Sequence, residues 1–161
     1  ENKKTTKARY RNIELALYEM LRVVKPNGLI CIDIVLPHQV NSFWFKHLIP
    51  RAKSIVRKKM PPFSVFKQVF QNKFHHFPIE RIVSIDEILY DHQEYYRSTG
   101  PLDEYWRNTD STWALASKEE LHDAIQFVEN QHKQNKMVSW IKIKDKIREK
   151  VGMSTLILIE T

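Results

Sequence analysis

The fold is decided by the stretch Lys25-Pro26-Asn27-Gly28-Leu29-Ile30-Cys31-Ile32-Asp33-Ile34-Val35-Leu36. Its second part, Leu29–Leu36, is short, rich in β-branched residues and apolar at both odd and even positions. That pattern is typical of a strand covered on both faces. Proline cannot continue a helix, and the Asn27-Gly28 pair favours a tight reversal with positive φ. The stretch therefore predicts a helix end, a turn and a buried strand.

Upstream of the turn, apolar residues recur at the three- and four-residue spacing of one helical face. They are Ile13, Leu17, Met20, Leu21 and Val24. This spacing predicts a helix from about Thr6 to Val24. Helix, turn and buried strand form an α/β unit, so we expect one α/β domain over residues 1–161. Its interior sheet should be parallel, with Leu29–Leu36 central and helices on both faces.

Beyond Pro37 the pattern is weaker. Apolar residues between Phe43 and Val56 predict a helix that Pro50 kinks or interrupts. Residues 60–83 contain three prolines among many aromatics and are expected to be irregular. The sequence Ser84-Ile85-Asp86-Glu87 has the spacing of a capping box, which predicts a short helix starting there.

The last third of the chain gives clearer signals. Ser117-Lys118-Glu119-Glu120 is a second capping box and predicts a helix over about 118–134. Apolar spacing from Trp140 to Val151 predicts another helix, ended by Gly152. Residues Ser154–Glu160 have the composition of a strand.

Composition excludes several classes of site. Average usage would place about 11 glycines in a chain of this length, but only Gly28, Gly100 and Gly152 occur. They cannot form a P-loop or a GxGxxG turn, which need clustered glycines around a phosphate. Cys31 is the only cysteine, which excludes an intrachain disulfide and a multi-cysteine zinc site and indicates an intracellular, cytoplasmic protein. No apolar run is long enough to span a bilayer, so we expect no membrane partner.

The net charge of +7 favours anionic partners. Much of the excess lies in one short segment that contains Arg51, Lys53, Arg57, Lys58 and Lys59. Such a segment is either a solvated helix end or a contact for nucleic acid or phosphate.

Residues Glu19 to Asp33, read as Glu-Met-Leu-Arg-Val-Val-Lys-Pro-Asn-Gly-Leu-Ile-Cys-Ile-Asp, resemble a segment of class I S-adenosylmethionine-dependent methyltransferases. The family pattern is E-x-L-R-V-L-K-P-G-G-x-L-x-I-x-D, and Asn27 stands where its first glycine is usual. In that family the segment is the helix that leads into the fifth strand of a seven-stranded Rossmann-like sheet. Looser similarity to the C-terminal portions of some members extends over residues 107–121 and 148–157.

The resemblance covers only the second half of the family's fold. It implies a mixed sheet in which the final strand, Ser154–Glu160, runs antiparallel to Leu29–Leu36. It also implies S-adenosylmethionine as cofactor, but the glycine-rich loop that is its main binding motif is absent from this chain. We therefore expect either a C-terminal fragment, as the missing initiator Met suggests, or one chain of a two-chain enzyme. The cofactor-binding residues stay unknown.

Two regions hold candidate site residues. Ligands of open α/β sheets sit outside the carboxyl ends of strands, where Asp33, Pro37 and His38 lie. Asp33 is either a substrate-facing carboxylate or the partner of a helix start, and His38 either a general base or a surface histidine. The aromatic segment 95–111 either walls a substrate pocket or packs as a surface loop, tied by Arg97 or Arg107 to Asp110. The candidate substrate-binding residues are Asp33, Pro37, Tyr95, Tyr96, Arg97, Trp106, Arg107 and Asp110.

The leading hypothesis is the C-terminal part of a methyltransferase that supplies the substrate-side pocket for a small-molecule acceptor. Residues 60–116 would form a lid over the substrate. The alternative is a non-catalytic basic domain that binds nucleic acid or a protein partner. The seven histidines lack HxxxH and HExxH spacing, so we expect no metal site. Because the family's fourth strand is missing, we expect Leu29–Leu36 to pair with a second chain, to swap with a copy of itself, or to be covered by a helix.

Overall fold

A computed structural model describes residues 10–73 and 79–161, with side chains for 10–72 and 81–161. It is a mixed α/β structure, 60% helical. In chain order the elements are α1 (Arg11–Val23), β1 (Leu29–Ile34), α2 (Pro50–Lys59), α3 (Phe63–Lys73), β2 (Ile79–Ile85), α4 (His92–Tyr95), α5 (Glu104–Arg107), α6 (Lys118–Lys133), α7 (Met137–Val151) and β3 (Ser154–Glu160). Short 3-10 turns lie at Gln39–Ser42, Trp44–His47, Gly100–Leu102 and Trp113–Leu115.

The turn between α1 and β1 has the geometry that its sequence predicts. Asn27 adopts a φ of 60°, and its N–H donates to the carbonyl of Thr161 at 2.6 Å, while the Thr161 N–H donates to the carbonyl of Gly28 at 3.1 Å. The turn is therefore attached to the residue that follows β3. The helix predicted before it is confirmed over Arg11–Val23, and its expected first residues, 6–9, lie outside the described residues.

The sheet has the strand order β1-β3-β2, and both pairs are antiparallel. Ile157 of β3 pairs with Ile32 on one side and with Ile82 on the other. The antiparallel final strand is thus confirmed. The expected parallel interior sheet and the central position of Leu29–Leu36 are wrong, because β3 occupies the centre and β1 is an edge strand within the described residues.

One face of the sheet is packed. Ile30, Ile157 and Ile159 are buried there against residues of α1 and α3. On the opposite face, Leu29 is 59% exposed, and Cys31 and Asp33 are exposed as well. The expected cover on both faces of β1 is therefore wrong in the part of the chain that the structure describes. Apolar residues on both alternating faces of a strand do not show which face a neighbouring layer covers.

A second core lies after β1 and is largely aromatic. It joins residues of the 43–49 segment to Tyr95, Trp106 and Trp113, and to apolar residues of α6 and α7. The helix predicted over 43–56 exists only from Pro50 onward. Proline stands at its first position, where the missing N–H has no intrahelical partner to lose, and the preceding aromatics form a 3-10 turn instead.

Two expectations for the middle of the chain are wrong. Residues 60–83 are not irregular, since they contain α3 and the beginning of β2. Ser84 and Ile85 do not start a helix, because Ser84 pairs with Thr155 and Ile85 with Ser154 in the sheet. Cross-strand pairing outweighs the local capping signal there. Residues 74–78, including His75 and His76, lie outside the described residues.

The predictions for the last third are confirmed. α6 spans Lys118–Lys133, and the hydroxyl oxygen of Ser117 accepts a hydrogen bond from the N–H of Glu120 at 3.1 Å. α7 ends at Gly152, whose φ is 74°. Across residues 10–73 and 79–161, each helix is too short or too polar to cross a bilayer.

Candidate functional site

An aromatic cavity of about 260 Å³ is formed where α4 and α5 meet the 43–47 segment. Its walls include Phe45, Tyr90, Tyr95, Tyr105, Trp106 and Trp113, and its polar lining includes Asp91, Glu94, Arg97, Thr109 and Asp110. We call it the aromatic cavity. Aromatic walls with a few polar groups are typical of pockets for small organic molecules.

The walls are held by ring contacts and by hydrogen bonds to the backbone. Trp106 and Phe45 meet edge to face at 5.4 Å between centroids, and Trp106 and Trp113 at 6.2 Å. The indole N–H of Trp106 donates to the carbonyl of Glu94 at 2.9 Å. Gly100 is required beside this ring, because a Cβ there would lie 2.5 Å from a ring carbon of Trp106. The cavity wall is therefore rigidly positioned.

Asp110 is one of three acidic residues that line the cavity, and it belongs to a nearly buried ion pair. Its carboxylate lies 3.3 Å from the ammonium of Lys46, with side-chain exposures of 12% and 8%. The Lys46 ammonium also lies 3.9 Å from the centroid of the Phe43 ring, a distance at which cation–π attraction is favourable. Burial lowers the pKa of Lys46, and the Asp110 carboxylate opposes that effect.

Tyr95 is anchored from outside the cavity by Asp145 of α7. The Tyr95 hydroxyl donates to Asp145 Oδ1 at 2.9 Å and the Tyr96 hydroxyl to Oδ2 at 2.8 Å. The Arg148 guanidinium donates to the same carboxylate at 2.8 Å. Burial, then the Asp145 charge, raises the pKa of Tyr95 above its ordinary value. Tyr95 therefore stays a neutral donor.

A smaller cavity of about 210 Å³ lies at the carboxyl end of β1. Asp33, Leu89, Tyr90 and Ser154 are among its lining residues. Tyr90 also lines the aromatic cavity, so the two cavities share one wall residue. Burial and the Asp110 charge raise the pKa of Tyr90.

Each cavity has a lining residue with a buried polar atom that finds neither a hydrogen bond nor an ion pair among the described residues. Trp113 Nε1 lies in the wall of the aromatic cavity, and Ser154 Oγ in that of the smaller cavity. An unsatisfied buried donor costs about 1–3 kcal/mol.

The structure brings together half of the predicted substrate-binding residues. Tyr95, Arg97, Trp106 and Asp110 line the aromatic cavity, and Asp33 lines the smaller one. The remaining three, Pro37, Tyr96 and Arg107, line neither of these two cavities.

Those three residues have other contacts or positions. Pro37 is half-buried in the turn after β1. Arg107 donates to the carbonyl of Pro101 at 2.8 Å, and Tyr96 bonds to Asp145. His38, the candidate general base, is exposed in the same turn as Pro37 and lines neither cavity.

The expected tie from an arginine to Asp110 is wrong. Arg97 pairs with Glu94 and with Asp103, each at 2.9 Å, and Asp110 pairs with Lys46. Sequence reasoning missed Lys46 and Tyr90. One signal was available for Lys46, because it follows Phe43-Trp44-Phe45. A lysine buried with such a run needs an anionic partner.

The chain's glycines do not build a cradle for the cofactor that the family resemblance implies. Gly28 contacts Val24 and Lys25, Gly100 contacts Trp106, and Gly152 contacts Ser84 and Ile85. These sites are separate close-packing positions. The described residues therefore do not fit S-adenosylmethionine on their own, and they form no group of three or more metal-ligating side chains.

Comparisons of the chain with protein-family models, with curated proteins and with solved structures find no match.

Proposed function

We propose that the chain is the C-terminal part of a class I S-adenosylmethionine-dependent methyltransferase and that it supplies the substrate-side pocket. The complete enzyme, a cytoplasmic one, would transfer a methyl group to a nucleophilic atom of a small acceptor. The observation that carries the proposal is the aromatic cavity beside the carboxyl end of β1, with Tyr90 shared between the cavity and that strand end.

The order of elements supports the proposal. α1, the Asn27-Gly28 turn and β1 coincide with the segment that resembles the family, and β3 runs antiparallel to β1 as the resemblance implies. β1 pairs on one side only within the described residues. That free edge is where the resemblance implies a preceding strand from another part of the enzyme.

The cavity supports a small planar acceptor. Its volume of about 260 Å³ lies just below the roughly 300–1,000 Å³ of common ligand pockets. Methyl transfer needs mainly alignment of the nucleophile with the methyl group, and rigid aromatic walls supply alignment. His38 and residues 60–116 remain the predicted base and lid, and the latter segment also contains α3 and β2.

The first test measures cofactor binding by calorimetry. The chain alone should show no saturable binding of S-adenosylmethionine, because it lacks the glycine-rich loop. Protein that also carries the sequence preceding Glu1, or a co-expressed partner chain, should bind it saturably. The proposal is wrong if neither form of the protein binds the cofactor.

The second test uses the extended protein and a panel of small phenols and amines, with release of S-adenosylhomocysteine as readout. Tyr105 lines the aromatic cavity and is 82% exposed, so Tyr105→Ala should leave folding intact and raise KM for the acceptor. Tyr18→Ala on α1, where Tyr18 is 40% exposed, is the matched control. Equal effects of both substitutions would contradict a substrate role for this cavity.

A non-catalytic basic domain is the second candidate. It is favoured by Arg57, Lys58 and Lys59, which are exposed together in the last turn of α2. Its test is the affinity for generic RNA measured over a range of salt concentrations. For a single strand, the logarithm of the binding constant falls against the logarithm of the salt concentration with a slope of about 0.7 for each phosphate that the protein neutralises. A slope near zero would exclude this reading.

A further inference from the structure

A third cavity, of about 470 Å³, lies between α2, α6 and α7. Its lining includes His47, Arg51, Phe127, Trp140 and Lys144 and shares no residue with the aromatic cavity. We call it the basic cavity. Its volume falls within the roughly 300–1,000 Å³ that ligand pockets occupy.

One wall of the basic cavity is aromatic. The Phe127 and Trp140 rings lie 5.3 Å apart between centroids and are tilted by 59°. Both side chains are only half-buried, although they pack against the aromatic core. Partly open aromatic rings are the surfaces on which nucleobases stack, and stacking tolerates any base.

Several cations near this wall form no salt bridge among the described residues, although the charge of Arg51 acts on the carboxylate of Glu119. Lys144 Nζ lies 5.7 Å from the Trp140 ring centroid. His47 Nε2 bonds to the carbonyl of Asn41 at 2.9 Å, which leaves its Nδ1 to accept from Lys53 Nζ at 3.3 Å. Across the described ranges, neither lysine forms a salt bridge, and neither does Arg51.

These positive charges also act on one another. Burial lowers the pKa of Lys53, and the charges of Lys144 and Arg57 lower it further. Burial lowers the pKa of His47 as well, and the charges of Lys53 and Lys144 add to that effect. A bound anion would relieve this repulsion.

Two carboxylates, Glu120 and Asp123, also line the basic cavity, and each has a position that weakens its attraction for the cations. Both carboxylate oxygens of Glu120 accept backbone N–H groups at the start of α2, from Arg51 at 2.5 Å and from Ala52 at 3.2 Å. That charge is therefore used to cap the helix. Asp123 is exposed to solvent, where its attraction for the lysines is screened.

We propose that the basic cavity binds a nucleotide, with its base against Trp140 and Phe127 and its phosphate on Lys144 and Arg51. The nucleotide is either free in solution or part of a single-stranded nucleic acid, since both present the same base and phosphate. This site does not depend on methyl transfer, because it is separate from the aromatic cavity.

The experiment titrates the full chain with adenosine monophosphate, adenosine and inorganic phosphate at about 50 mM salt, where charges are weakly screened. Binding is followed by calorimetry and by the indole N–H resonances in NMR spectra. The monophosphate should bind at least about tenfold more tightly than either part alone, because base and phosphate bind together. The indole resonance that Trp140→Leu removes should be the one that shifts.

Substitutions on α7 distinguish binding at this cavity from nonspecific attraction by the net positive charge of the protein. Lys144→Gln should weaken binding of the monophosphate by about tenfold, the loss of one charge-assisted contact. Lys142→Gln is the matched control, because Lys142 is exposed on the same helix and lines a different cavity. Circular dichroism checks that both variants are folded. Equal losses in the two variants would overturn the proposal, since net charge would then explain the binding.

A single-stranded RNA of about ten nucleotides, a length that one such site can contact, distinguishes the two sources. If the RNA binds more tightly than the monophosphate and Lys144→Gln weakens it, the site serves nucleic acid. If the monophosphate binds more tightly than the RNA, the site serves a free nucleotide. Absence of saturable binding by both probes in the millimolar range would show that the cavity has no nucleotide site.

Discussion

The ammonium of Lys46 lies 3.3 Å from the carboxylate of Asp110, and the two side chains are 8% and 12% exposed. This pair connects the 3-10 turn Trp44–His47 to the segment that contributes Asp110 to the wall of the aromatic cavity. The charge of Asp110 is already neutralised by Lys46. At this point of the wall, a ligand of the cavity therefore meets a neutral pair rather than an unpaired carboxylate.

Removing one partner of this pair should destabilise the protein strongly. Asp110→Asn leaves the Lys46 ammonium buried without a counter-charge, which costs about 3–5 kcal/mol in comparable cases. Urea unfolding followed by tryptophan fluorescence measures the change. The double variant with Lys46→Met should recover part of the loss. A single substitution that costs less than about 1 kcal/mol, the value of a surface pair, would contradict the burial of this pair.

Asp145 should make stability depend on pH in the acid range. Burial raises its pKa, but hydrogen bonds from Arg148, Tyr96 and Tyr95 outweigh burial and hold the pKa below its ordinary value. The unfolded state therefore takes up the proton first as pH falls. The stabilisation is present above about pH 4, the ordinary pKa of an aspartate, and is lost as pH falls through the lower pKa of the folded state.

Thermal unfolding between neutral pH and pH 2–3 tests this dependence, and Asp145→Asn should flatten the curve. Asp33→Asn is the control, because Asp33 is exposed on β1. If the two variants have the same acid profile, the Asp145 cluster is not the cause.

Ser117 should contribute through its cap on α6. Its hydroxyl oxygen accepts the N–H of Glu120 at 3.1 Å, so Ser117→Ala should cost about 1 kcal/mol. Ser54→Ala is the control, since Ser54 is exposed within α2 and alanine is the better helix former there. Chemical denaturation of both variants gives the comparison, and a Ser117→Ala variant as stable as wild type would refute the cap.

The free edge of β1 should determine association. β1 bonds to β3 on one side only within the described residues, and Leu29 and Cys31 are exposed on its open face. We therefore expect the chain to pair with a second chain, to swap with a copy of itself, or to cover this edge with a helix. Light scattering measures the mass, and amide exchange across 29–36 measures protection. A stable monomer with fast exchange in this strand would contradict the prediction.

The elements predicted well from sequence are those with long or self-contained signals. α1, α6 and α7 have a repeated apolar spacing, and Asn27 and Gly152 mark ends that require positive φ. Whether the strands pair in parallel or antiparallel fashion could not be predicted from Leu29–Leu36, because the sequence of an apolar strand does not indicate the orientation of its neighbour. β2 was missed because its run is short and Arg81 interrupts it.

The candidate site was partly predictable for the same reason. Tyr95, Trp106 and Asp110 stand close together in sequence and also in space. Lys46 and Tyr90 come from other segments, and nothing local connects them to that group. Gln39, which lines neither cavity, shows the same limit in the fold, since this buried amide bonds to Leu36, Val151, Ser154 and Thr155. Its role depends on residues more than a hundred positions away.

The position of β3 between β1 and β2 has a consequence during synthesis. Both outer strands leave the ribosome before the strand that must join them, and the Gly28–Thr161 contact closes across 133 positions. Until β3 emerges, β1 and β2 have no hydrogen-bonding partner in this sheet. Such distant pairings form slowly, and unpaired apolar strands aggregate while they wait. The nascent chain should therefore depend on a chaperone that holds β1 until the central strand arrives.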